Sequence, residues 1–129
     1  MDFSDKTILV VDDDKDFCFL IRMMFKKTRA KLVFAYDGKE AIRIIRNSFP
    51  SEPVSVVLLD IQMPRISGYT VIETLKELQP DLPVLALTAF GMTGEREKCL
   101  KLGFDEYLAK PFEEQDLFTI IRRLTNKRL

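Results

Sequence analysis

The sequence predicts an α/β fold, a doubly wound parallel sheet of five strands with five helices on its two faces. Three observations support this prediction. Short apolar runs alternate five times with longer segments whose apolar residues recur at helical spacing. The runs hold few polar residues, as is typical of strands that are buried on both faces. Each helix can return the chain to the starting edge of the sheet, so successive strands lie parallel.

The first half of the chain contains three of the predicted strands. Residues 7–11 form a nearly continuous apolar run between acidic residues, and apolar residues then recur at helical spacing over 17–28. A second short run at 31–35 precedes a helical pattern at 41–45. The third run, 54–59, is the most apolar, which favours a position at the centre of the sheet.

The second half of the chain repeats the alternation. An apolar stripe at 71–78 is ended by a proline, and a second proline precedes the strand predicted at 84–88, a position that tolerates it. Residues 94–102 indicate a shorter, more polar helix, closed by a glycine of the kind that caps helices. Residues 104–109 predict the fifth strand, and 117–124 predict a final amphipathic helix.

Composition predicts one domain spanning residues 1–129. The chain is 47% hydrophobic, and its 20 basic and 20 acidic residues give no net charge, which argues against direct nucleic-acid binding. Its two cysteines, Cys18 and Cys99, fall among apolar residues at helical spacing and predict buried thiols in a reducing compartment. Without a signal-peptide pattern or a membrane-spanning apolar run, we expect a cytoplasmic protein with no membrane contact. Because only five residues follow residue 124, we expect no output domain in this sequence, which is either a stand-alone protein or a domain cut from a larger one.

Chemically reactive side chains stand at the carboxyl ends of four predicted strands. Asp12 and Asp13 follow the first strand, Asp60 the third, Thr88 the fourth and Lys110 the fifth. In a sheet of order 2-1-3-4-5, one of two common orders, the first and third strands are neighbours. Three carboxylates would then converge on one pocket, with a hydroxyl and an ammonium on its far side.

The acids after the first strand admit other interpretations. Asp12, Asp14 and Asp16 match the start of a calcium-binding EF-hand loop, but Phe17 and Met23 stand where that loop needs glycine and glutamate. An Asp-x-Asp pair also resembles phosphatases of the haloacid dehalogenase type, which usually need a longer chain. Asp14 and Asp16 can simply cap a helix, although this does not account for the earlier acids.

Four motifs, in order and at these spacings, closely resemble the receiver domain of bacterial two-component response regulators, over residues 8–124. They are LVVDD at 9–13, LLDIQMP at 58–64 with Gly68, LTA at 87–89 and YLAKPF at 107–112. The resemblance implies a flavodoxin-like fold with the sheet order 2-1-3-4-5.

The resemblance also implies a phosphoacceptor and a metal site. Asp60 would accept a phosphoryl group from a sensor histidine kinase or a histidine phosphotransfer protein. Asp12, Asp13, Asp60 and the backbone carbonyl of Gln62 would hold Mg²⁺ (or Mn²⁺), for which oxygen ligands are suited. Gln62 and Phe90 would border the route of an attacking water and tune the lifetime of the phosphoryl group.

The far side of the pocket would bind the phosphoryl group. By the resemblance, the Lys110 ammonium would neutralise its charge, the Thr88 hydroxyl would hydrogen-bond one of its oxygens, and small Ala89 would leave the entrance open. Pro111 suggests a cis peptide bond that directs Lys110 inward, as in the family.

The signal would leave through a tyrosine. When Thr88 moves toward the phosphoryl group, Tyr107 would turn inward and change the surface of the fourth helix, fifth strand and fifth helix, where a downstream protein target would bind. The polar residues 95–98 suggest that the fourth helix is adjustable.

Three alternatives stay open at this point. A pseudo-receiver would signal without phosphorylation, but such modules generally lose an acid, the threonine or the lysine. A small Mg²⁺-dependent phosphatase would need a substrate pocket, and an FMN-binding flavodoxin would need a Ser/Thr/Gly-rich loop where this chain has acids. We expect no enzyme activity beyond self-phosphorylation and autodephosphorylation at Asp60. Lacking histidine, the chain cannot itself be a histidine phosphodonor.

Overall fold

The computed structural model describes residues 1–48, 51–64, 66–89 and 91–126. Strands and helices alternate along these residues, and a short 3-10 turn at Lys26–Thr28 follows the first helix. The elements are β1 (Thr7–Val11), α1 (Lys15–Phe25), β2 (Lys31–Ala35), α2 (Gly38–Ser48), β3 (Val56–Asp60), α3 (Gly68–Leu78), β4 (Val84–Thr88), α4 (Glu95–Leu102), β5 (Glu106–Ala109) and α5 (Glu114–Thr125).

The strands form one parallel sheet in the order β2-β1-β3-β4-β5. The predicted fold class and strand order are therefore confirmed. Val11 at the end of β1 lies opposite Leu59, and Asp60 at the end of β3 lies opposite Leu87. This register brings the carboxyl ends of the three central strands to the same edge of the sheet.

Two apolar layers enclose the sheet, because successive strand side chains point to opposite faces. Leu9 and Val11 pack with the buried residues of α2, α3 and α4. Ile8 and Val10 pack with those of α1 and α5 on the other face. Residues 56–59 of β3 are completely buried. Burying one such aliphatic side chain contributes about 1.5–3 kcal/mol, which is why the strands are continuous apolar runs.

Two strand boundaries differ from the prediction. β3 begins at Val56 rather than at Val54, and β5 begins at Glu106 rather than at Phe104. Val54 and Phe104 are both buried in the core, 6% and 3% exposed, but they reach it from loops that precede the strand ladder. Their apolar character therefore reports burial and not strand geometry.

Capping residues fix the ends of two helices. The Asp14 carboxylate accepts the backbone N–H groups of Asp16 and Phe17 at the start of α1, which confirms the capping interpretation for Asp14. At the end of α4, Gly103 has φ 114°, a left-handed conformation that suits glycine, and its N–H bonds back into the helix. In the part of the chain that the structure describes, each helix is too short or too polar to span a bilayer.

Candidate functional site

Three carboxylates meet at the carboxyl edge of the sheet. One oxygen each from Asp12, Asp13 and Asp60 lies within 4.8 Å of the other two. Asp12 is completely buried, Asp60 is 7% exposed and Asp13 faces solvent. The convergence follows from the pairing of β1 with β3, since Asp12 directly follows one strand and Asp60 ends the other. The three carboxylates therefore converge as their positions at the strand ends predicted.

Each buried acid also orders its own loop. One oxygen of Asp12 accepts the N–H of Asp14, and one oxygen of Asp60 accepts the N–H of Gln62, both at 2.9 Å. The second oxygen of Asp12 accepts a hydrogen bond from Lys110 Nζ at 2.8 Å. These contacts hold the carboxylates in fixed orientations.

The cluster carries more negative charge than its surroundings offset. Burial raises the pKa of Asp60 to about 6, with the charges of Asp12 and Asp13 acting in the same direction and the Gln62 N–H and the Lys110 ammonium acting against them. A divalent cation at this point would relieve the repulsion. The donor set consists of carboxylate oxygens, which are the hard ligands that Mg²⁺ prefers, so these residues fit such an ion.

Lys110 reaches the acids from the end of β5. Its Nζ lies 3.8 Å from the centroid of the Phe17 ring, and that ring packs edge-on against Phe112, with centroids 6.1 Å apart and planes at 85°. The Lys110–Pro111 peptide bond is cis. Sequence reasoning treated Phe17 only as a core residue of α1. The structure places it against the ammonium, so it is a site residue that helical periodicity alone did not reveal.

The end of β4 forms the remaining wall. Thr88 is completely buried at the last position of the strand, and its carbonyl accepts the N–H of Lys110 at 2.7 Å. Ala89 is exposed, and its N–H donates to the Gln62 side-chain oxygen at 3.3 Å. The loops after β3 and β4 are thus linked across the pocket. Phe90, predicted to border the pocket, lies outside the described residues.

Tyr107 is not brought to the acidic cluster. It lies half-buried on β5 opposite Ala86, and its hydroxyl donates to Glu95 Oε1 at 2.7 Å. The adjustability of α4, expected from the polar residues 95–98, stays a prediction. One of these residues, Glu95, is only 9% exposed. Its burial depends on residues of other elements, so the sequence of α4 gave no signal for it.

Comparisons with known proteins agree with this architecture. A family model described as the response regulator receiver domain matches residues 8–122. The chain is 36% identical over 122 residues to the transcriptional regulatory protein CpxR of Klebsiella pneumoniae, covering 93% of this chain and 49% of CpxR. The chain spans about half the length of the curated relatives that it matches, such as CpxR and ycf27 of Cyanophora paradoxa (51%).

Solved structures are also similar. A response regulator receiver domain protein from Clostridium thermocellum has a TM-score of 0.85 and 30% identity, with 94% of each chain covered. The receiver domain of a sensor histidine kinase from Pseudomonas aeruginosa has a TM-score of 0.84 and 28% identity, covering 95% of this chain and 98% of that one. That structure has a magnesium ion coordinated in its active site cleft.

Proposed function

Because the chain belongs to the response regulator receiver domain family, we propose that it is a phosphorylation switch whose phosphoacceptor is Asp60. The phosphoryl donor is a phosphohistidine on a sensor histidine kinase or a histidine phosphotransfer protein. The observation that carries the proposal is the meeting of Asp12, Asp13 and Asp60 within 4.8 Å, with the Lys110 ammonium 2.8 Å from Asp12. Phosphoryl transfer depends mainly on positioning and on neutralising charge, which this arrangement can supply.

The metal site uses the same acids. Asp12, Asp13, Asp60 and the backbone carbonyl of Gln62 would hold Mg²⁺ or Mn²⁺, which when bound neutralises the negative charge of the transferring group. The pKa of Asp60, raised by burial first and then by its acidic neighbours, supports this assignment because the pocket is short of positive charge.

The transfer exchanges one bond to phosphorus for another. A carboxylate oxygen of Asp60 attacks the phosphorus in line, the O–P bond forms as the N–P bond of the phosphohistidine breaks, and the departing imidazole takes up a proton from water. Lys110 stabilises the charge on the phosphoryl oxygens. Hydrolysis of the acyl phosphate by water returns Asp60 to the carboxylate. Gln62, whose side-chain oxygen accepts the Ala89 N–H, borders that route and tunes its rate. The same role predicted for Phe90 concerns a residue outside the described ranges.

The response leaves the pocket along β4 and β5. The Thr88 hydroxyl would hydrogen-bond a phosphoryl oxygen beside the small residue Ala89, and the orientation of Tyr107 would follow the position of Thr88. The side chains of Thr88 and Tyr107 point to the same face of the sheet as Ala86, which lies opposite Tyr107 in the ladder. The surface of α4, β5 and α5 would then bind a downstream protein target.

Intact mass spectrometry tests the proposal. The protein is incubated with Mg²⁺ and acetyl phosphate beside Asp60→Asn and beside Asp16→Asn, which changes an exposed acid in the first turn of α1. We expect one labile phosphate adduct on the wild type and on Asp16→Asn, and none on Asp60→Asn or after chelation of the metal. An adduct that persists in Asp60→Asn contradicts the assignment. Absence of any adduct favours a pseudo-receiver, and turnover of an unrelated phosphoester favours a phosphatase.

A further inference from the structure

A third buried carboxylate lies away from the acidic pocket. Glu95 is the first residue of α4 and is 9% exposed. Its Oε1 accepts the Tyr107 hydroxyl at 2.7 Å, and its Oε2 accepts the Tyr69 hydroxyl at 3.5 Å. Burying a carboxylate is costly unless hydrogen bonds compensate for its lost hydration. The two hydroxyls provide that compensation.

These contacts join three elements at one point. Tyr69 belongs to α3, Glu95 to α4 and Tyr107 to β5. Burial, followed by the interactions with Glu95, raises the pKa of Tyr107, and burial raises the pKa of Tyr69 to about 12. Both phenols therefore keep their protons at neutral pH and act as donors. The carboxylate is the shared acceptor between them.

The orientation of Tyr107 depends on this acceptor. Its ring packs against the core layer formed with α2, α3 and α4, on the face where its ladder neighbour is the small residue Ala86. Gly91 adjoins the hydroxyl, since a Cβ at that position would lie 3.9 Å from it. The ring is thus turned inward, and its terminal oxygen is fixed by Glu95.

The start of α4 depends on the same contact. Its N-cap, Gly94, has φ 81° and offers no side-chain hydrogen bond to the helix. The Glu95 N–H bonds to the Met92 carbonyl at 3.0 Å, and the Glu95 side chain bonds to β5. Tyr107 is therefore in direct contact with the first turn of α4.

We propose that Glu95 is the positioning residue that holds Tyr107 inward and couples α4 to the state of Asp60. The coupling rests on the proposed function, in which Tyr107 follows Thr88. A modification shifts an equilibrium only through interactions that differ between the two states. The Tyr107 hydroxyl reaches Glu95 while its ring packs against the core, and on this proposal an outward turn of the ring breaks the hydrogen bond, which supplies such a difference. Hydrogen bonds to charged acceptors are among the stronger ones, and losing this one lowers the ratio of inward to outward Tyr107 about tenfold.

Fluorine NMR on fluorotyrosine-labelled protein tests the proposal. The chain has three tyrosines and no tryptophan, and Tyr36 is an exposed internal control. In the unmodified protein, we expect Glu95→Ala to move the Tyr107 resonance toward that of free fluorotyrosine while the Tyr36 resonance stays in place. Glu95→Gln keeps an acceptor oxygen, and we expect it to restore a resonance close to that of the wild type.

The coupling is measured with beryllofluoride and Mg²⁺, a mimic of the phosphoryl group on a carboxylate. We expect the midpoint of the beryllofluoride titration to rise by up to about tenfold in Glu95→Ala and in Tyr107→Phe. Because both variants remove the same hydrogen bond, the double variant should show no further rise. Circular dichroism shows whether Glu95→Ala folds. If it does not, the titration midpoints of Tyr107→Phe, which lacks the hydrogen bond, and Glu95→Gln, which keeps an acceptor, are compared instead.

Two results overturn the inference. One is a folded Glu95→Ala protein whose Tyr107 resonance and titration midpoint match the wild type. The other is a Glu95→Gln protein that behaves like Glu95→Ala, because the hydrogen bond would then not be the cause. Failure of the proposed function can be distinguished from failure of this inference. If the proposed function is wrong, the wild type itself forms no phosphate adduct on Asp60, and this result does not depend on the Glu95 variants.

Discussion

Replacing Asp60 by asparagine should stabilise the metal-free protein. Asp60 is 7% exposed and lies within 4.8 Å of two other carboxylates. Burial and the charges of Asp12 and Asp13 raise its pKa from 3.8 to about 6. Each pH unit corresponds to about 1.4 kcal/mol, so ionising Asp60 costs about 3 kcal/mol more in the folded protein than in the unfolded chain. Asparagine removes this cost but keeps an oxygen that can accept the Gln62 N–H.

The pH dependence has a definite sign. Between pH 4 and pH 6, the folded protein retains a proton on Asp60 that the unfolded chain has lost. The Asp60 contribution to the free energy of unfolding therefore falls as the pH rises through this interval and is constant above it. The stability difference between Asp60→Asn and the wild type should be small near pH 4 and reach about 1–3 kcal/mol above pH 7.

Urea unfolding in the presence of a chelator measures the effect, with the free energy extrapolated linearly to water. Asp81→Asn is the matched control, because it removes an exposed acid outside the pocket, and we expect a change within about 0.5 kcal/mol. Adding Mg²⁺ should stabilise the wild type and reduce its stability difference from Asp60→Asn, because the proposed metal site forms only in the folded protein. An Asp60→Asn protein that is no more stable than the wild type at pH 7.5 would refute the reasoning.

Three further predictions concern the surroundings of the pocket. Phe17→Leu should slow phosphorylation by acetyl phosphate about threefold to tenfold, because an aromatic ring holds the Lys110 ammonium. Phe17→Tyr keeps an aromatic ring and should restore the rate. Equal rates in Phe17→Leu and the wild type would contradict this. Gly68→Ala should lower the free energy of unfolding, measured with urea, by about 1–3 kcal/mol, because its Cβ would lie 2.5 Å from the Ile61 backbone. A variant as stable as the wild type would show that the loop relaxes freely. Burial raises the pKa of Tyr69 to about 12, so stability should fall as the pH rises above 10, and less steeply in Tyr69→Phe. Urea midpoints at pH 9 and pH 11 test this, and parallel slopes in the two proteins would count against it.

The bounds of the strands were predictable where packing in the core determines which residues are apolar. The bounds of β1, β2 and β4 match the apolar runs to the residue. β1 and β4 are buried between two helical layers, and the partly buried residues 32–34 of the edge strand β2 pack against the same two layers. The runs at Val54 and Phe104 misled the prediction, since a buried loop residue is as apolar as a strand residue. The order of the strands required the family resemblance, because periodicity says nothing about which strands are neighbours.

The site residues that directly follow or end a strand were predictable from the sequence, and those elsewhere were not. Asp12, Asp13 and Asp60 were found because parallel strands present their carboxyl ends at one edge. Glu95 was missed because its burial requires hydroxyls that lie 12 and 26 residues away in the chain. Phe17 was missed for a related reason, since its contact with Lys110 joins α1 to the loop after β5.

The buried carboxylates Asp60 and Glu95 differ in a way that suits different roles. Asp60 faces two other acids, so its charge responds strongly to a cation or to an added phosphoryl group. Glu95 faces the neutral hydroxyls of Tyr69 and Tyr107, and it lies near Lys98, whose Nζ is 4.4 Å from the centroid of the Tyr69 ring. Hydrogen-bond donors stabilise its charge without depending on an ion. In the proposed switch, the carboxylate that accepts the phosphoryl group is therefore distinct from the one that holds Tyr107, and the position of Tyr107 relative to Glu95 reports the change.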